Sequence, residues 1–354
     1  MSVLELARPE IRALKSYSTP PLPEGFARLN ANEAPTYPYG KIETGPLNRY
    51  PDLQPDALRN AMAEAFGVSP DQVCPTRGSS EGIDLLVRSF CRAYTDNVVI
   101  MPPTFEMYGV YSSIQGCEVR QAPLDADNDF AVDWDAVNAQ CDKQTRLVFL
   151  CSPNNPTGTS IPFEEIAFFC EQSQGRNVVV ADEAYIEFSD QPSTATLLDK
   201  FDNLVILRTL SKARALAGTR CGAVVGDPAL IGVISALLSP YAFSTPVTVA
   251  ALHALESAGR QQADELISDI LTERQRMADA LENSATIEKC WPSDANFLFV
   301  RFADPGAASA AFADQNVLVR TYDSAALAGC ARITIGTREE NDRVLAALAA
   351  GGAS

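Results

Sequence analysis

Histidine is almost missing from this chain of 354 residues; His253 is the only one. It sits in a helix-like stretch, Val249–Leu255, with no motif around it. A Ser-His-Asp triad or a multi-histidine metal site therefore finds no support, and any proton-moving group has to be another residue type. Positive charge is scarce as well: 28 Lys and Arg face 45 Asp and Glu, for a net charge of −17. A negative field repels phosphodiesters, which argues against a nucleic-acid surface and makes any anionic ligand depend on a local basic cluster. The nine cysteines are scattered, and no pair has C-x-x-C spacing. Neither a disulfide framework nor a zinc site is indicated, so no metal is expected. No apolar run is long enough to span a bilayer; one of the longer ones, Val233–Leu238, is cut by Ser235. Met1–Lys15 mixes Glu5, Arg8, Glu10 and Arg12 into its apolar positions and builds no signal-peptide core. The expectation is a cytoplasmic protein without membrane contact.

What is present reads as an α/β enzyme. The length is enough for roughly two domains. Short apolar runs, Val98–Met101, Leu147–Cys151, Val178–Val180, Leu204–Leu207 and Ala223–Val225, alternate with amphipathic segments such as Glu81–Cys91 and Phe163–Gln172. Runs that are apolar throughout suit strands buried on both faces, hence a mainly parallel sheet between helices. After about residue 238 the texture changes. Ala263–Leu281 has helical periodicity, Phe297–Phe302, Val317–Arg320 and Arg332–Ile335 read as short strands, and a last helix covers Glu339–Ala350. The expected division is a large domain over residues 26–238 and a smaller α+β domain formed by 1–25 and 239–354.

Four polar clusters each follow an apolar run or open a helix, so in an open parallel sheet they converge on one crevice. Arg77-Gly78-Ser79-Ser80-Glu81-Gly82 leads into a helix, where small residues let backbone N–H groups reach a phosphate, although the same residues also serve as ordinary helix caps. Ser152-Pro153-Asn154-Asn155-Pro156-Thr157-Gly158 is a rigid turn able to aim an amide, or a tight connection and no more. Asp182-Glu183-Ala184-Tyr185 puts a carboxylate at the end of a buried strand, which is costly without a partner. Thr209-Leu210-Ser211-Lys212, with Arg214 and Arg220 close behind, offers an amine, a hydroxyl and a guanidinium, or a surface basic cluster. Together they fit one ligand that has a phosphate, a pyridine nitrogen, a phenolic oxygen and an aldehyde.

In order and spacing these clusters resemble those of fold-type-I pyridoxal-phosphate aminotransferases, and most closely the histidinol-phosphate aminotransferase family. The resemblance runs from Leu29-Asn30-Ala31-Asn32-Glu33 through Asn48-Arg49-Tyr50-Pro51-Asp52 to Arg332-Ile333-Thr334-Ile335-Gly336-Thr337-Arg338-Glu339-Glu340. Its most specific element is Thr209-Leu210-Ser211-Lys212 with Ala217-Gly218-Thr219-Arg220-Cys221-Gly222. The resemblance implies pyridoxal 5′-phosphate as cofactor, bound covalently by Lys212, which also serves as the catalytic base. It implies Asp182 opposite the pyridine nitrogen, Asn155 and Tyr185 on the phenolic oxygen, and Phe105 stacked on the ring. Ser79, Ser80, Thr209, Ser211 and Arg220 would hold the phosphate. Tyr50 would reach the phosphate of a neighbouring subunit, making the enzyme a homodimer with shared sites. Arg332 is implied as the clamp for a substrate carboxylate, Arg320 as the group for the phosphate of histidinol phosphate, and Tyr17 and Asn32 as pocket walls.

Some positions depart from the family's habit: Phe105 stands where tyrosine is frequent, Arg214 and Thr219 where apolar residues are common, and Ser80 where an acid or amide is frequent. None touches Lys212, Asp182 or Arg220. The reaction implied is amino transfer between L-histidinol phosphate and 2-oxoglutarate. Alternatives on the same scaffold are an aromatic-amino-acid aminotransferase and a pyridoxal-phosphate decarboxylase of an amino-acid phosphate. A non-catalytic cofactor-binding regulator would carry a DNA-binding module, which is not expected of so acidic a chain.

Overall fold

The computed structural model describes residues 3–12 and 47–351. Strands β1 (Val73–Thr76), β2 (Asn97–Ile100), β3 (Glu118–Gln121), β4 (Thr145–Cys151), β5 (Val178–Asp182), β6 (Leu204–Thr209) and β7 (Gly222–Gly226) form one sheet. Its order is β1-β7-β6-β5-β4-β2-β3. All pairings from β3 across to β6 are parallel, and only β7 runs against its neighbours β6 and β1. This is the mainly parallel sheet that the apolar runs predict.

Helices cover both faces. They are α1 (Val3–Leu6), α2 (Pro9–Arg12), α3 (Asp56–Phe66), α4 (Gly78–Phe90), α5 (Met107–Gln115), α6 (Trp134–Gln140), α7 (Phe163–Ser173), α8 (Pro228–Ser235) and α9 (Thr245–Leu255). Side chains alternate across a strand, so Val179 and Ala181 of β5 enter the core under α3, α7 and α9, while Val178 and Val180 enter the core under α4, α5 and α8. Both faces are therefore apolar, and each fully buried Val or Leu contributes about 1.5–3 kcal/mol. Asp182 continues the phase of Val180 and turns toward the α4–α5 side.

The second sheet is antiparallel. It consists of β8 (Ile287–Trp291), β9 (Phe297–Phe302), β10 (Arg320–Thr321) and β11 (Cys330–Thr334), in the order β10-β11-β9-β8. Helices α10 (Ser257–Glu282), α11 (Pro305–Asp314) and α12 (Arg338–Gly351) cover one face, burying Leu298, Val300, Phe302, Ala331 and Ile333. Phe297 and Phe299 point the other way, toward the large sheet, where Phe297 packs edge-on against Tyr185 at 5.3 Å.

Two expectations differ from this picture. The strand predicted over Val317–Arg320 is observed only at Arg320–Thr321, which pair with Arg332 and Ala331, while Leu318 is fully exposed. The N-terminal segment is expected with the smaller domain, yet Val3, Leu6 and Ala7 pack into the core beneath α4 and α8.

Candidate active site

Strands β4, β5 and β6 are parallel neighbours, so their carboxyl ends open on one side. The loops that leave them carry Asn155, Tyr185 and Lys212. The first turn of α4 adds Ser79 and Ser80, and the turn before β7 adds Arg220. These residues, with Phe105, Asp182, Thr209, Ser211 and Arg332, line one cavity of about 280 Å³.

At its floor, Asp182 is 2% exposed. The Tyr108 hydroxyl donates to its Oδ2 at 2.7 Å, and the Ala184 N–H donates to Oδ1 at 3.1 Å. Burial pushes the Asp182 carboxyl up to about 6, against the pull of those two donors. Among the described residues no cation pairs with it at salt-bridge distance, so the carboxylate suits a cationic partner inside the cavity.

Lys212 follows β6, with Nζ 5.6 Å from the centre of the Tyr185 ring. Its pKa is lowered first by burial, then by the charges of Arg332 and Arg220; Asp182 works the other way. An amine biased toward its neutral form is a nucleophile and a base. Tyr185 is pushed in the opposite sense, with its hydroxyl kept protonated chiefly by burial.

At the other end of the cavity lies an anion cradle. Thr209 Oγ1 donates to Ser211 Oγ at 2.9 Å and accepts from the Ser211 N–H at 3.1 Å. Arg220 Nη1 donates to Ser211 Oγ at 3.3 Å and to the Ala217 carbonyl at 3.2 Å. Gly78 opens α4 at φ +76°, and a Cβ there would stand 2.8 Å from Arg220 Nη2. Glycine is what lets the guanidinium lie across the positive end of the helix. Gly222 is needed for a similar reason, since its Cβ would meet the Arg208 carbonyl at 2.5 Å.

Arg332 reaches in from β11. Its guanidinium lies 5.3 Å from the centre of the Phe297 ring, and Nη1 donates to Asn155 Oδ1. Among the described residues its buried Nε has no hydrogen-bond partner, which leaves donor capacity for a planar acceptor such as a carboxylate.

Other expected site residues lie elsewhere. Arg320 is outside the cavity; its side chain is more than half exposed, and Nη2 is 4.0 Å from Glu106 Oε1. Tyr50 is half exposed and stacks on Tyr241 at 4.5 Å, also outside the cavity. Tyr17 and Asn32 fall outside the described residues. Conversely, Tyr108 and Tyr322 belong to the surroundings of the site, and the sequence alone does not point to them. Tyr322 sits where Arg332 and Arg320 both act on its hydroxyl, and the Arg320 guanidinium lies 5.7 Å from its ring centre. His253 is exposed, 3.7 Å from Glu256. Among the described residues no helix is long and apolar enough to cross a membrane.

Comparison with known proteins follows the same lines. Residues 22–348 match the family described as aminotransferase class I and II. A histidinol-phosphate aminotransferase from Pectobacterium carotovorum subsp. carotovorum (strain PC1) is 42% identical over 350 residues, covering 98% of this chain and 97% of that protein. One from Stenotrophomonas maltophilia (strain R551-3) is 41% identical over 353 residues, with coverage of 98% and 97%. Among solved structures, the histidinol-phosphate aminotransferase from Sinorhizobium meliloti in complex with pyridoxal-5′-phosphate is similar at a TM-score of 0.76 and 26% identity, covering 86% of this chain and 83% of that one. The enzyme of the same name from Clostridium acetobutylicum has a TM-score of 0.78 at 22% identity, with coverage of 87% and 92%, a likeness of fold.

Proposed function

Because this chain belongs to the class I and II aminotransferase family, we propose that it uses pyridoxal 5′-phosphate to move an amino group between L-histidinol phosphate and 2-oxoglutarate. The observation that carries the reading is the placement of the Lys212 amine in one cavity with the buried Asp182 carboxylate, the Arg220 cradle and Arg332.

The cavity's residues fit the cofactor group by group. Asp182, buried and drawn toward neutrality at about 6, would hold a pyridinium N–H. Ser79, Ser80, Thr209, Ser211 and Arg220 would take the phosphate, with the α4 N-terminus behind them. Asn155 and Tyr185 would bind the phenolic oxygen, Phe105 would lie against the ring, and Lys212 would bind the aldehyde carbon. When bound, the cofactor supplies an electron sink for the pair left at the substrate's Cα.

The chain's own groups do the rest. Lys212 would take the proton from the substrate's Cα and deliver it to the cofactor's C4′, a role that needs the neutral amine favoured by burial and by its two arginine neighbours. Arg332 orients the carboxylate of glutamate or 2-oxoglutarate so that Cα faces Lys212. Arg320, outside the cavity beside Tyr322, would meet the phosphate of histidinol phosphate. Tyr50 serves the site of a second subunit in a cytoplasmic homodimer.

The test is the pair of half-reactions. Purified protein loaded with the cofactor should convert on adding glutamate, followed by loss of its visible absorbance, and also on adding histidinol phosphate. Conversion by phenylalanine in preference to histidinol phosphate would assign it to aromatic amino acids instead. Release of carbon dioxide without need of an oxo acid would make it a decarboxylase.

A further inference from the structure

We propose that Tyr108 is the positioning residue for Asp182, holding the carboxylate ionised and turned into the cavity for the cofactor's ring nitrogen. The inference rests on the reading of Asp182 given above and adds a residue to it.

The geometry is tightly determined. Tyr108 lies in α5 and is wholly buried. Its ring stacks on Phe149 of β4 at 4.7 Å and 11°, and meets the edge of Phe105 at 5.6 Å and 85°. Packing therefore fixes where the hydroxyl stands, 2.7 Å from Asp182 Oδ2. With Ala184 N–H on Oδ1, each carboxylate oxygen has one donor, and the plane of the group is set. The hydroxyl remains a donor throughout, because burial and then the Asp182 charge push its own pKa well up.

The other titratable groups around Asp182 come from several elements: Cys151 at the end of β4, Glu183 and Tyr185 after β5, and Lys212 after β6. Among them, Lys212 favours the ionised carboxylate and Glu183 opposes it; neither lies within a hydrogen bond of it. Tyr108 is the side chain that does. Removing the hydroxyl raises the Asp182 pKa, so the carboxylate is lost at a higher pH on acidification. A protonated Asp182 has no charge to offer a pyridinium, and cofactor affinity should fall with it.

The experiment titrates apoprotein with pyridoxal phosphate across about pH 5 to 8, reading bound cofactor by absorbance. Tyr108→Phe keeps the ring and its stacking. It should raise the Kd roughly tenfold near neutrality and move the acid limb of binding up by about one pH unit. Tyr108→Leu, with different packing, should move the limb the same way. In an Asp182→Asn background, adding Tyr108→Phe should change neither quantity. The proposal is overturned if both Tyr108 variants keep the parent limb, or if they weaken binding equally at every pH and by the same factor in the Asp182→Asn background. If Asp182→Asn alone leaves cofactor binding unaltered, the reading of Asp182 itself is wrong.

Discussion

Arg320 and Arg332 stand directly opposite one another on β10 and β11. Cross-strand partners project from the same face of a sheet, and here that face looks toward the cavity holding Lys212. One guanidinium is drawn inside against Asn155 and Phe297, while the other stays at the rim beside Tyr322 and Glu106. Two cations at two depths suit two different anions.

Their substitutions should therefore separate. Arg332→Ala removes a buried clamp and should lower kcat/KM for 2-oxoglutarate about a hundredfold, the scale of a charged hydrogen-bonded contact. Arg320→Ala should lower kcat/KM for histidinol phosphate by about tenfold, since an exposed cation is worth less, and should leave 2-oxoglutarate nearly unchanged. Steady-state kinetics of both variants with both substrates checks this; equal losses would remove the division of labour.

The pH dependence of cofactor capture follows from Lys212. Burial, Arg332 and Arg220 all disfavour its ammonium form, so it loses its proton below the ordinary 10.5. Capture by apoprotein should accelerate as pH rises through that lowered value. Arg332→Ala takes away one opposing charge, raises the Lys212 pKa, and should shift the rise to higher pH. Stopped-flow measurement of the two proteins gives the comparison.

Gly78→Ala puts a methyl 2.8 Å from Arg220 Nη2 at a residue with φ +76°. The strain should cost about 1–2 kcal/mol of stability. Displacement of Arg220 should weaken cofactor binding roughly tenfold, on the scale of one hydrogen bond to a charged group. Unfolding midpoints and cofactor titration read the two effects independently.

Behind the site, Arg208 is buried with Glu183 at 3.3 Å and Glu187 at 2.8 Å, over the Phe66 ring. Glu183 also accepts from Ser193 Oγ, Thr194 N–H and Thr194 Oγ1. Glu183→Ala strands these donors and leaves Arg208 short of a partner. Denaturant unfolding of the apoprotein should show a loss of about 3–5 kcal/mol.

The sequence made the central strands legible because β2, β4, β5, β6 and β7 are buried on both sides and carry unbroken apolar runs. It was silent on β1, whose Val-Cys-Pro-Thr is short and interrupted by proline, and on β3, an edge strand of Glu-Val-Arg-Gln. Site residues that follow strand ends were legible because chain order alone places them at one rim. Tyr108 was not, because its relation to Asp182 depends on how α5 docks over β5. The one available signal was its spacing from Phe105, three residues earlier at the start of the same turn of chain. Tyr322 depends likewise on the pairing of β10 with β11.

The most direct test is to reduce the cofactor-loaded protein with borohydride, digest it and map the labelled peptide by mass spectrometry. The account predicts a pyridoxyl group on Lys212. A label on any other lysine, or none on this one, would contradict it.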